Sequence, residues 1–127
     1  MKPKVLIVDD DPLMHMLYSR HLEIAGYRML VAKNGQEAIL LAAREFPQLI
    51  VMDILMPSMD GLSALRELRK GDETKNIPVL IVTATVAALA ATKKETSNAG
   101  ASGFLAKPFS PAQLLKEVRR LAPVSAA

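Results

Sequence analysis

Short runs of branched apolar residues recur near positions 4–8, 28–32, 49–52, 78–82 and 103–106, separated by longer stretches that carry helix start signals. A brief run that is apolar at every position marks a strand covered on both faces, as in a parallel sheet flanked by helices. Asp11-Pro12 supplies an N-cap and a proline at the first helical position; Met14, Leu17, Tyr18, His21, Leu22 and Ala25 then form one face, and Gly26 ends the helix. Asn34-Gly35-Gln36-Glu37 has capping-box spacing for a second helix, which Phe46-Pro47 closes. Asp60-Gly61 opens a third with Leu62, Leu65 and Leu68 on its apolar edge, and Gly71 ends it. Ser110-Pro111-Ala112-Gln113 caps the last helix, whose Leu114, Leu115, Val118 and Leu121 face inward before Pro123. The pattern predicts a single three-layer α/β domain, a doubly wound (βα)5 unit with a parallel five-stranded sheet, over residues 1–122. Residues 123–127 are a tail or the start of a linker. Met1 directly ahead of the first strand reads as an authentic start.

Polar residues follow four of these strands at equivalent places. Asp9 and Asp10 end the first, Asp53 the third, Thr83 the fourth and Lys107 the fifth. Parallel strands bring their carboxyl ends to one edge, where open α/β sheets bind their ligands, so these groups are expected to converge.

Composition narrows the class. A chain of 127 residues, half of them hydrophobic, is enough for one core. Without cysteine it has neither disulfides nor thiolate metal ligands, and no apolar stretch is long enough to span a bilayer; a cytoplasmic location is expected. The formal charge is +3, yet Asp9, Asp10, Asp11, Asp53 and Asp60 cluster near the proposed edge, leaving the remaining surface more basic. No helix-turn-helix, zinc signature or aromatic-interleaved basic stripe accompanies that charge, so direct nucleic-acid binding is not expected. Lys2, Lys4, Lys93-Lys94 and Arg119-Arg120 read as solvated side chains.

Three carboxylates held together repel unless a cation joins them, and hard oxygen ligands without His or Cys favour Mg²⁺ over Zn²⁺. Magnesium keeps open positions, which makes a phosphoryl oxygen the natural guest. Asp53 then reads as a nucleophile forming an acyl phosphate, Lys107 as the neutralising cation and Thr83 as a hydrogen-bond donor to the phosphoryl group.

Together, Asp9-Asp10, Asp53, Met56-Pro57, Asp60-Gly61, Thr83-Ala84, Gly100-Ala101 and Lys107-Pro108-Phe109 resemble the receiver domain of two-component response regulators, from Lys4 to Leu121. The resemblance implies a flavodoxin-like fold with strand order 2-1-3-4-5, inherited from that family. It implies phosphorylation of Asp53 by a histidine kinase or a histidine phosphotransfer protein. Mg²⁺ would be held by Asp10, Asp53 and the backbone carbonyl of Leu55, with Asp9 acting through water. It further implies that Thr83 moves toward the phosphate while Phe104 swings inward, so that the face of helix four, strand five and helix five controls a partner or output domain. A phosphorylation-dependent dimer is compatible with that scheme, as is a cis Lys107-Pro108 bond.

Simpler roles suit several residues. Asp11 and Asp60 read as helix caps, His15 and His21 as packed or surface histidines, and the methionines as core filler. Phe104 is equally readable as core. The segment from Thr83 to Lys107 is slightly longer than the family pattern, so helix four is expected to be displaced or partly irregular. Leu55 and Thr85 are expected to influence the lifetime of the phosphoryl group, and apolar Leu55 to make its loss slow. Two other functions use the same residues: a phosphorylation-independent interaction module, and a Mg²⁺-dependent phosphatase with Asp9 as nucleophile, since Asp9-x-Asp11 resembles the haloacid-dehalogenase motif.

Overall fold

The computed structural model describes residues 2–54, 61–84 and 86–124. Five strands and five helices alternate: β1 (Lys4–Val8), α1 (Pro12–Ile24), β2 (Arg28–Ala32), α2 (Gly35–Glu45), β3 (Leu49–Asp53), α3 (Gly61–Lys70), β4 (Val79–Thr83), α4 (Val86–Asn98), β5 (Gly103–Ala106) and α5 (Pro111–Leu121). The strands form one parallel sheet in the order β2-β1-β3-β4-β5, the predicted architecture.

Strand alternation divides the core into two layers. Leu6, Val8, Ile50, Met52, Val79 and Ile81 face α2 and α3, where Ala38, Ala42, Ala64, Leu65 and Leu68 are buried. Val5, Ile7, Leu49, Val51, Leu80 and Val82 face α1 and α5, meeting Tyr18, Leu22, Leu114 and Val118. Because both faces are covered, β3 and β4 are apolar almost throughout, which is why they were legible as continuous runs.

Local chemistry sets the helix ends. The Asp11 carboxylate accepts from the Leu13 backbone N–H at 2.9 Å, and Ser110 and Gln113 form a reciprocal capping box. Asn34 accepts from the Glu37 N–H, but Glu37 reaches back to the Lys33 N–H, so the predicted box at α2 closes one residue early. The proposed cap Asp60 lies outside the described residues.

Two expectations need correction. Leu17 was assigned to the buried face of α1, yet it is 52% exposed; that face is narrower, with Tyr18 and Leu22 its buried members. Helix α4 runs as regular helix over Val86–Asn98, so the expected irregularity is not found there. At its end Gly100 adopts φ +103°, and the Arg69 guanidinium donates to the Gly100 carbonyl at 2.8 and 3.1 Å and to the Ile77 carbonyl at 2.7 Å. This half-buried cation joins the end of α3 to the turn between α4 and β5. Among the described residues no helix is long and apolar enough to cross a membrane.

Candidate functional site

Backbone pairing carries the ends of the central strands to a common edge. The Asp9 N–H donates to Ala32 O, the Ile54 N–H to Val82 O, and the Lys107 N–H to Thr83 O, so the ladders continue to the residues with candidate chemistry. The first turn of α3 also approaches closely. A Cβ on Gly61 would stand 2.6 Å from the Ile54 Cα and 2.8 Å from the Asp53 carbonyl oxygen, so glycine alone lets α3 begin against the back of Asp53.

One carboxylate oxygen from each of Asp9, Asp10 and Asp53 lies within 4.8 Å of the others. Asp9 is buried, Asp53 half-buried and Asp10 exposed. The Lys107 ammonium stands 3.2 Å from Asp53 Oδ2 and 3.4 Å from Asp9 Oδ2, bridging two of the three acids. Burial pulls the Lys107 pKa down, but the charges and hydrogen bonds of Asp53 and Asp9 together outweigh it, leaving the pKa above its ordinary value. Asp10 makes no ion pair among the described residues. The cluster therefore keeps a net negative charge, and its hard oxygen donors fit a divalent cation such as Mg²⁺.

Thr83 is fully buried, and its hydroxyl has no hydrogen-bond partner among the described residues. A buried hydroxyl in that condition costs free energy, which makes it a donor available for a guest. Alternation along β4 sets Thr83 on the α3 side with Val79 and Ile81, whereas Asp53 on β3 continues Leu49 and Val51 on the α1 side.

The site assembled from sequence is brought together at Asp9, Asp10, Asp53, Lys107 and, on the neighbouring strand, Thr83. Asp11 stays out of it and caps α1, as expected. Phe104 is partly buried against the α3-side core, on β5 opposite Ile81. The Lys107-Pro108 bond is cis. Leu55 and Thr85 lie outside the described residues.

Sequence reasoning missed three participants. His15 was read as packed or surface, but its Nε2 donates to the Asp9 backbone carbonyl, so it braces the loop that carries the acids. Tyr18 is buried beside the site: burial raises its pKa, with added pushes from the Asp9 and Asp53 charges, and its ring meets Phe109 at 5.9 Å between centroids. Lys93, read as solvated, holds its ammonium 5.4 Å from the Phe104 ring centroid. Only helical spacing from Asp11 foreshadowed His15; the other two contacts depend on tertiary packing. Beside the site, an apolar groove of about 420 Å³ runs between α1 and the start of α5, with Leu17, Tyr18, Phe109 and Leu114 among its walls, and reaches Lys107.

A parallel sheet whose carboxyl edge holds three acids, a lysine and a buried hydroxyl carries its candidate chemistry where open α/β domains bind their ligands. Residues 5–119 match the response regulator receiver domain family, and the chain belongs to it. It is the receiver domain of a two-component response regulator. Similarity extends to the DNA-binding dual master transcriptional regulator RpaA of Synechocystis sp., 38% identical over 94% of this chain and 48% of that protein. The chain thus spans about half the length of such curated relatives. Among solved structures, chemotaxis protein CheY4 of Vibrio cholerae matches with TM-score 0.88 and 34% identity, covering 95% of this chain and 99% of that one. The receiver domain of sensor histidine kinase PA1611 from Pseudomonas aeruginosa matches with TM-score 0.85 and 31% identity over 95% of this chain and 98% of that one; it carries a magnesium ion in its active-site cleft.

Proposed function

We propose that the domain is a phosphoacceptor switch rather than a classical enzyme, with Asp53 receiving a phosphoryl group from a histidine kinase or histidine phosphotransfer protein. The observation that carries this reading is Lys107 bridging Asp53 and Asp9 beside Asp10, with a buried Thr83 hydroxyl that lacks a partner among the described residues at the end of the neighbouring strand.

Asp10 and Asp53 would hold Mg²⁺ together with the Leu55 carbonyl, and Asp9 would act through water. Bound there, the cation offsets repulsion between the acids and an incoming phosphoryl anion. An Asp53 carboxylate oxygen attacks phosphorus, forming the acyl phosphate as the bond to the donor nitrogen breaks. An ionised carboxylate needs no general base for this step. Lys107 swings from the carboxylates to a phosphoryl oxygen, and the Thr83 hydroxyl donates to another.

The donor protein would seat at the apolar groove beside the site. The groove that reaches Lys107 is walled in part by Leu17 of α1, a helix that also carries exposed Leu13 and Met16. Thr83 and Phe104 then change position together, and the α4-β5-α5 face passes the signal to a partner or output domain.

The alternatives receive less support. An Asp9 nucleophile would have to leave a buried position in which it already binds Lys107 and the Asp11 N–H. A docking module that ignores phosphorylation gives the orphaned Thr83 hydroxyl no purpose. Incubation with acetyl phosphate and Mg²⁺, followed by intact mass, tests the reading against Asp53→Asn and a metal-free control. One phosphoryl adduct requiring both Asp53 and Mg²⁺ is expected. An adduct on Asp9 with phosphate release would favour the phosphatase, and no adduct on folded, metal-binding protein the docking module.

A further inference from the structure

We infer that Lys93 is a positioning residue for the switch, holding the Phe104 ring in its resting place and so limiting how readily Asp53 is phosphorylated. This rests on the phosphoacceptor reading and names a regulator of the same site.

The geometry begins at Thr83. Its hydroxyl lies on the α3 side of the sheet, while Asp53 belongs to the α1 side, so reaching a phosphoryl group on Asp53 draws Thr83 away from its present packing. Register then determines which neighbour gains room. Thr83 pairs with Ala106 and Ile81 with Phe104, so the Phe104 ring is the large side chain one step back along the same face. It is only partly buried and packs against the α3-side core, which allows it to turn further in.

Lys93 opposes that turn. It projects from the exposed side of α4, makes no ion pair among the described residues, and places its ammonium 5.4 Å from the Phe104 centroid, within cation–π range. A cation on the ring face is lost if the ring moves into the apolar core, because the ammonium cannot follow without shedding its water. An attraction of the size usual at exposed sites shifts a two-state balance about two- to fivefold. α4 lies in sequence between Thr83 and Phe104, so the brake is built into the segment that the switch moves.

The test combines a spectroscopic and a kinetic readout. In the unphosphorylated wild type, NMR should show Lys93 ε-methylene protons shifted upfield by the ring current, with cross-relaxation to Phe104 ring protons; both should vanish on phosphorylation by acetyl phosphate and Mg²⁺. Lys93→Met keeps the stem without the charge and should be phosphorylated about two- to fivefold faster. Lys93→Arg retains a cation for the ring and should keep the wild-type rate. Thermal unfolding of both variants checks that the fold is intact.

Equal rates for wild type and Lys93→Met, or an equal acceleration in Lys93→Arg, would overturn the inference and leave Asp53 phosphorylation standing. Persistence of the ring-current shift in the phosphorylated protein would overturn it too. Absence of an adduct in the wild type would instead overturn the phosphoacceptor reading, and is seen before any Lys93 variant is compared.

Discussion

Replacing Asp10 with asparagine should stabilise the metal-free protein, because the acids at the sheet edge outnumber their cation. Asp9 and Asp53 together carry two negative charges and Lys107 returns one positive, so Asp10 faces one net negative charge within 4.8 Å. Coulomb's law at that separation gives about 3.5 kcal/mol at an effective dielectric of 20 and about 1 kcal/mol at that of water. Asp10 is exposed, so the relief belongs toward the lower end, about 1–2 kcal/mol. For a domain of this size that corresponds to a rise in Tm of roughly 3–10 °C. Urea or thermal unfolding in EDTA at low ionic strength measures it, and about 1 M salt should shrink the gain by screening. With Mg²⁺ the order should close or reverse, since the wild type gains binding free energy that the variant has lost a ligand to capture. An Asp10→Asn protein no more stable than wild type in EDTA would refute the repulsion argument. Equal stabilisation of both by Mg²⁺ would remove Asp10 from the metal site.

The remaining expectations concern buried groups. Thr83→Val should raise the stability of the unphosphorylated protein by about 1 kcal/mol in denaturant titration, since it removes a buried hydroxyl that has no partner among the described residues, while slowing phosphorylation. The Tyr18 pKa is raised in the fold by burial, first of all, and then by Asp9 and Asp53, so the folded protein keeps a phenolic proton that the unfolded chain releases above about pH 10. Stability is therefore full below pH 10 and falls above it, and Tyr18→Phe should flatten that fall by up to about 1.4 kcal/mol per pH unit in unfolding measured from pH 9 to 12. Arg69→Met strips the Gly100 and Ile77 carbonyls of their donor and should cost about 2–4 kcal/mol. Gly100→Ala forces a side chain into a left-handed position 2.7 Å from Arg69 Nε, and the double variant should be less damaging than the sum, as a double-mutant cycle would show.

The chain's local patterns already specified much of this molecule. Continuous apolar runs marked β3 and β4, because a strand buried on both faces has no polar side to show. Asp11, Asn34 and Ser110 marked helix starts, because unsatisfied N–H groups there demand a side-chain acceptor within three residues. The position of Asp9, Asp10, Asp53, Thr83 and Lys107 at the ends of four of the five strands was enough to predict that they share an edge. What residue order leaves open is which side chain touches which across the layers. Lys107 was expected at that edge, but only the alignment of β5 beside β4 set its ammonium 3.2 Å from Asp53. His15 against the Asp9 carbonyl, Tyr18 against Phe109, Lys93 over Phe104 and Arg69 at Gly100 join residues from different elements or turns, and Leu17 faced outward because α1 buries a narrower stripe than its apolar spacing suggested. Periodicity and capping are properties of a few neighbouring residues and are therefore written in the sequence; the partnering of charges, rings and an orphaned hydroxyl depends on how helices lie on the sheet, and only the packed tertiary structure decides it.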